Sequence, residues 1–277
     1  MSDESGDFSS LFASGALADF PIGNLPLARH HERLVAPDDV TIVPYAWIDP
    51  GEFSRFVSSP SGEMRDAAGN QLASRGDGPV IVAEHSFLLR FPWDLLRANE
   101  RFVSSLADDI REGEVHESAV IEGTIHLGPG SRILPGVFIE GNVVIGANCK
   151  IGPNCYLRGS TSIGDKCHIG QSVEIKNCLI RSRTNVGHLS YVGDSVLGEG
   201  VNFGAGTTTS NLRHDGANHR TMVRGVLVDT GRRKFGAIVG DRVHTGIHTS
   251  IYPGRKLHPG TSTRPGEIVA ADIESSR

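Results

Sequence analysis

Ten aliphatic residues recur at strict six-residue spacing through the middle of this chain: Ile121, Leu127, Ile133, Ile139, Ile145, Ile151, Leu157, Ile163, Ile169 and Ile175. Glycine or another small or polar residue follows most of them, as in IGANCK, IGPNCY and IGDKCH. Two positions before each lies a second, mostly compact residue: Ala119, Ile125, Ser131, Val137, Val143, Cys149, Cys155, Thr161, Cys167 and Val173. A hexapeptide period marks a parallel β-helix, in which six residues make one side of a coil and coils stack because no unit buries its apolar side alone. If three units close a coil, residues 18 apart lie one above the other at about 4.8 Å, the spacing of adjacent strands. The register is then a coordinate system for the surface.

The period lapses after Ile175 and is traceable with shorter steps. The inward positions become Ile180, Val186, Val192, Leu197, Phe203 and Thr209, with steps of 5, 6, 6, 5 and 6, so two coils are one residue short and their corners should be distorted. Regular units resume at Val239, Thr245, Ile251, Leu257, Thr263 and Val269. Between them SNLRHDGANHRTMVRGVLVDTGRRKFG is too long and polar for a coil. Loops carried on a rigid solenoid are where binding concentrates.

Residues 19–113 lack the period. Strand-like runs, VTIVPYAWI and GPVIVAEHSFLLRF, are split by a polar, turn-rich segment, and a helix follows that starts at Pro92 and carries Leu95, Leu96, Phe102, Val103, Leu106 and Ile110. The expected organisation is a disordered tail over 1–18, a small α+β cap over 19–113 and a β-helix over 114–277. No glycine-rich phosphate loop occurs in the first 113 residues.

Composition narrows the function. A formal charge of −5 argues against nucleic acid as a partner. The acidic start has no signal-peptide character, and no run approaches the roughly 18 apolar residues of a membrane span. A cytoplasmic protein without a membrane partner is expected. Three of the four cysteines occupy the compact inward position and the fourth, Cys178, lies just past Ile175, which reads as packing thiols rather than a disulfide or metal clip.

Arg158 and Lys176 each follow an inward residue and are 18 apart, so they should stack on consecutive coils. Like charges so placed repel unless an anion lies over them, and a phosphate is the simplest such object, although both side chains splaying into water is an equal reading. Glu174 and Tyr191 should stack likewise, with His188 close by at the irregular corner, which makes a cluster of imidazole, carboxylate, phenol and two cations.

The stretch VEIKNCLIRSRTNVGHLSYVGDSVLGEGVNFGAGTTTSN followed by DGAN resembles the acetyltransferase domain of the bifunctional N-acetylglucosamine-1-phosphate uridyltransferase/glucosamine-1-phosphate acetyltransferase family, and NLRHDG with TGRRKFGAIVGD is similar to its archaeal-type members. FPWDLLRANE resembles the linker after their uridyltransferase domain. The resemblance covers about residues 90–270 and implies a left-handed coil, a homotrimer and an acetyl-CoA site between subunits. It implies His188 as general base supported by Glu174 and Asn211, with Arg158 and Lys176 on the sugar phosphate and Tyr191, Asn202 and His219 on the acceptor. Ala205, Gly206 and Gly246 would contact acetyl-CoA. His219 stands where bacterial members carry lysine, Arg213 and His214 are extra, and the uridyltransferase domain is replaced by the cap. The implied activity is N-acetylation of an amino-sugar 1-phosphate, glucosamine-1-phosphate first, with no metal required and no nucleotide sugar made by this chain alone.

Two other readings stand beside it. His214 and His219, five apart, with His188 would suit a zinc β-helix enzyme of the carbonic anhydrase type. A β-helix can also serve as a non-catalytic assembly or regulatory module. The cluster Arg232, Arg233 and Lys234 reads either as a holder of coenzyme A phosphates or as a solvated loop.

Overall fold

A computed structural model of the chain describes residues 11–12 and 17–274. Three parallel sheets form the sides of a triangular prism. The first side runs from Glu114–Val115 to Asn202–Phe203 in six strands, the second from Val120–Glu122 to Ile268–Val269 in eight, and the third from Ile110–Arg111 to Lys256–Leu257 in eight. Each strand pairs with its equivalent one coil on: Ile139 lies beside Leu157, Leu157 beside Ile175 and Ile175 beside Val192. This is the parallel β-helix expected from the period, with the left hand that the resemblance implied.

The inward positions fill the prism. All the assigned residues from Leu127 to Thr209 are buried, and so are Val239, Ile251, Leu257 and Val269. Polar inward residues bond to neighbouring carbonyls, as Ser131 Oγ does to Gly146 O at 2.6 Å, which offsets the cost of burying a hydroxyl. The four cysteines are free and buried among them.

The two short steps are located at one corner. Below them partners are 18 apart, as Arg158 and Lys176 are; above, Asn177 precedes Asp194 by 17 and Glu174 precedes Tyr191 by 17. The residue lost each time comes from the turn between the second and third sides, where Lys176-Asn177-Cys178 and Gly193-Asp194-Ser195 replace the four-residue Arg158-Gly159-Ser160-Thr161. The turn holding His188, between the first and second sides, keeps its normal length. The distortion expected beside His188 is therefore one corner away. The long excursion leaves this same second-to-third corner and forms an antiparallel hairpin arm, Arg220–Val223 with Val226–Asp229.

The N-terminal region contains helices α1 (Leu27–Glu32), α2 (Pro50–Val57) and α3 (Pro92–Ser104), and a four-stranded sheet packed on Phe53, Phe56, Met64 and Leu72. Asp94, in the first turn of α3, accepts from the Arg90 and Phe91 N–H groups and anchors that end of the helix. The helix ends at Ser104, so Leu106 and Ile110 are not part of it. Ile110 instead opens the first coil, its β-branched side chain pairing beside His126. The buried face of α3 lies on the third side, with Leu95, Leu96 and Ala98 in one cluster with Leu179, Val196 and Ile238. Buried Asn99 stitches the two parts together: its Oδ1 accepts from Gly23 N–H at 2.9 Å and Ser162 Oγ at 2.7 Å, and its Nδ2 donates to Ser160 O at 3.1 Å. Of the stretch expected to be disordered, residues 1–10 and 13–16 lie outside the described part. Leu11 and Phe12 are buried in this cluster, and Leu11 O accepts the Asp241 N–H at 3.2 Å. Their apolar surface docks the segment against the expectation from its polar composition.

Candidate active site

Arg158 and Lys176 are direct partners on the second side, as their spacing requires. Each has its own carboxylate. Arg158 is bound through Nε and Nη2 to Glu174 Oε1 at 2.8 and 2.7 Å, which raises the guanidinium pKa above its usual value. Lys176 Nζ meets Asp194 Oδ2 at 2.8 Å, with Asp194 2% exposed. The repulsion that called for an anion is thus offset within the chain. Glu174, expected to support His188, is committed to Arg158 instead.

Glu174 and Tyr191 also stack as expected. Asn211 joins them from the root of the hairpin arm, its Nδ2 donating to Tyr191 Oη at 3.0 Å and to Asp194 Oδ2 at 2.5 Å. Because Asn211 donates to the phenol oxygen, that bond leaves the Tyr191 hydroxyl hydrogen available to donate elsewhere. Burial pushes the Tyr191 pKa up, so the phenol remains a donor at neutral pH. Gly193 makes this meeting possible. It occupies the place that Arg158 and Lys176 hold on earlier coils, and a Cβ there would come within 2.4 Å of Tyr191 Oη and 2.7 Å of Asn211 Nδ2.

His188 ends the strand Asn185–His188 on the first side, exposed, and pairs with Gln171. Its ring has no hydrogen bond among the described residues, and Glu174 and Tyr191 lie around the corner past Leu189 and Ser190. One coil on, the Gly206 N–H donates to His188 O at 3.1 Å, so the backbone of His188 adjoins the FGAG turn. Gly206, at φ +77°, is flanked on its other side by His248 of the following coil, whose Nδ1 would be 2.5 Å from any Cβ. Gly246 stacks on Gly204 from that same following coil, and a Cβ on Gly204 would strike its carbonyl carbon at 2.6 Å. Asn202 is outward and exposed on the first side, one coil beyond Asn185. Arg158, Glu174, Lys176, Tyr191 and Asn211 therefore form one hydrogen-bonded or stacked group, and His188, Asn202, Ala205, Gly206 and Gly246 form a second across one corner.

Three expectations are corrected. His219 is 2% exposed: its Nε2 is 3.0 Å from Asn211 O, its backbone is tied to Thr230 and Arg232, and burial lowers its pKa. It positions Asn211 from behind and presents no face to a ligand. A sealed His219 cannot join His188 and His214 around zinc, and no group of three metal-ligating side chains occurs among the described residues. Arg232 is not part of a solvated loop, since it pins the arm to α3 through Glu100, with Nη1 3.0 Å from Oε2. Glu100 also accepts from Asn177, which donates to Asp194 Oδ1 at 2.9 Å. Asp194, Gly193, Asn177 and Glu100 were not found from the sequence. Their one available signal was the pair of five-residue steps, which marked the corner where three of them lie.

Fold and site define a hexapeptide-repeat β-helix protein with a polar cluster at its two shortened corners. Residues 139–254 match the family described as the GMPPB C-terminal domain. The chain is 41% identical over 212 residues to a bifunctional sugar-1-phosphate nucleotidylyltransferase/acetyltransferase of Sulfurisphaera tokodaii, a match covering 76% of this chain and 53% of the relative. It is 37% identical over 183 residues to the bifunctional protein GlmU of Methanococcus aeolicus, covering 66% of this chain and 44% of that one. These matches bear out the resemblance drawn from the VEIKNC to DGAN stretch. The chain spans about half the length of these relatives. Among solved structures it is similar to UDP-N-acetylglucosamine acyltransferase from Campylobacter jejuni, at 18% identity over 57% of this chain and 68% of that one, with a TM-score of 0.36.

Proposed function

We propose that the chain is an acetyl-CoA-dependent N-acetyltransferase acting on an amino-sugar 1-phosphate of the glucosamine-1-phosphate kind. The observation that carries this reading is the pairing of the His188 backbone with the glycine-rich FGAG turn, its exposed imidazole without a hydrogen bond among the described residues, one corner from Arg158, Lys176, Tyr191 and Asn211. The name of the Sulfurisphaera tokodaii relative, a sugar-1-phosphate nucleotidylyltransferase/acetyltransferase, supports acetyl transfer in sugar-phosphate chemistry.

In this reading the two cations hold the sugar phosphate while remaining tethered to Glu174 and Asp194, and the Tyr191 hydroxyl and Asn202 take the sugar. The amine attacks the thioester carbonyl, forming a C–N bond, and its proton passes to a ring nitrogen of His188. The backbone N–H of Ala205 faces the developing oxyanion. Collapse breaks the C–S bond, and the imidazolium returns the proton to the departing thiolate. No step needs a metal or a covalent enzyme intermediate. A homotrimer fits the exposed apolar residues beside His188, namely Leu189, 66% exposed at φ +49°, and Ile247, 51% exposed. Four reduced, buried cysteines suit a reducing cytoplasm. Thiol release from acetyl-CoA, measured against amino sugars with and without an anomeric phosphate, tests the reading. Equal rates on both forms refute the phosphate assignment, and no release with any of them refutes the acetyl transfer. Light scattering that reports a monomer at micromolar concentration refutes the trimer.

A further inference from the structure

Helix α3 and the base of the hairpin arm face each other across a cleft of about 570 Å³ whose walls include Trp93, Arg97, Glu100, Arg101, Ser160 and Arg232. That volume is in the range of small-molecule sites. The cleft opens on the third-side flank of the shortened corners and uses none of the residues assigned to acetyl transfer.

Its charges are unevenly matched. Arg97 and Arg101 are four apart on α3, a spacing at which like charges repel and destabilise a helix. Arg232 approaches them from the arm. Only Arg232 has a carboxylate of its own, Glu100. The Asp94 carboxylate is turned to the backbone N–H groups of Arg90 and Phe91, at 2.9 and 2.8 Å. The Arg97 guanidinium carbon is over the Phe87 ring, 3.8 Å from its centroid, and neither Arg97 nor Arg101 is hydrogen-bonded to a carboxylate among the described residues. Burial above all holds the Arg97 pKa below its usual value; Asp94 and Asp66 oppose it, and Arg101 and Arg232 add to it. Three guanidiniums crowded into a concave site, two of them without a hydrogen-bonded carboxylate among the described residues, are matched by a phosphate, which takes paired N–H···O bonds from the planar fork.

We propose that this cleft binds a small molecule carrying a phosphate or diphosphate, held by Arg97, Arg101 and Arg232. The same chemistry is offered by a free phosphorylated metabolite and by the phosphates of coenzyme A, so the probes must separate them. Titration calorimetry with inorganic pyrophosphate, UDP and coenzyme A is run on the full chain and on Arg101→Glu, Arg101→Lys and Arg158→Ala. Arg101 is exposed, so its variants keep the fold, which an unchanged melting temperature verifies. At least one probe binds the wild type, more weakly as salt rises, and Arg101→Glu loses tenfold or more, the scale of one charge-assisted bond. Arg101→Lys loses less, and Arg158→Ala, whose partner Glu174 is outside the network that reaches Glu100, binds as wild type. If only coenzyme A shows this pattern the cleft serves its phosphates; if pyrophosphate or UDP does, it serves a separate metabolite. Binding that ignores Arg101→Glu, binding lost in Arg158→Ala instead, or no binding of any probe overturns the proposal. The readout is binding alone, so the outcome is independent of whether acetyl transfer occurs.

Discussion

Lys176 and Asp194 meet across two successive coils at 2.8 Å, and Asp194 at the same time takes hydrogen bonds from Asn211 and Asn177. One buried carboxylate thus orders a cation, the root of the hairpin arm and, through Asn177 and Glu100, helix α3. Breaking a fully buried ion pair by removing one partner costs about 3–5 kcal/mol, and because Lys176 is 17% exposed the lower end applies. Asp194→Ala is expected to lose about 3 kcal/mol of stability in denaturant titration and to lose transferase activity, whereas Asp194→Asn keeps more of both. An Asp194→Ala protein as stable as wild type would show that the network does not contribute to stability.

Replacing the general base typically lowers rate by about 10²–10⁴-fold while binding groups persist. His188→Ala should therefore lose kcat on that scale and still bind acetyl-CoA in equilibrium dialysis. Near-normal kcat in this variant would place the base elsewhere.

His219→Ala separates positioning from catalysis. Its imidazole is buried against the Asn211 carbonyl, so truncation should lower the melting temperature and raise KM for the acceptor, with kcat reduced far less than in His188→Ala. A kcat loss as deep as that of His188→Ala, at an unchanged melting temperature, would contradict this role.

Gly193→Ala places a methyl group against Tyr191 Oη and Asn211 Nδ2. Displacement of positioning groups by about 1 Å can cost on the order of 10²-fold, so kcat/KM should fall by about 10- to 100-fold with the β-helix intact by circular dichroism. Unchanged kinetics would mean that the Tyr191–Asn211 contact is not used.

Acid should weaken the N-terminal region through His30. Its ring is wedged edge-on between Trp47 and Phe102, at 5.2 and 4.7 Å, and burial brings its pKa down to about 4 from 6.5. A base whose folded pKa is depressed takes up its proton first in the unfolded chain. Stability is therefore fully present above pH 6.5 and falls as pH drops from 6.5 towards 4, by at most about 3 kcal/mol. His30→Gln should flatten the stability–pH profile over that window, measured by urea titration at steps of pH. An identical slope in both proteins would rule His30 out as the source.

The inward residues were legible because a period is a count along one chain, and even the two short steps at Ile180 and Leu197 could be located by counting. The stacked pairs Arg158–Lys176 and Glu174–Tyr191 followed from the same count. What the count cannot carry is the direction in which a side chain turns from its register position. Glu174 turned to Arg158 and not towards His188, and Asp194 looked like any polar corner residue in YVGDS. Gly193 was one of 34 glycines, recognisable only once Tyr191 and Asn211 were seen to need the space above it. Glu100 was beyond reach for another reason: it comes from a helix whose seat on the third side is set by tertiary packing, with no sequence rhythm linking it to Asn177.

The two shortened corners give the molecule an unusual response to length changes. Inserting or removing a whole 18-residue coil below Gly159 would leave every later side chain facing the way it does now, so the prism can be lengthened there as a modular rod. One extra residue beside Asn177 would restore the ordinary corner, yet shift Asn177 and Asp194 out of the turns that hold Lys176, Asn211 and Glu100 together. Tolerance to insertion should thus be high in steps of 18 and close to nil in steps of one, with the second-to-third corner of these two coils as the point at which length and chemistry are locked together.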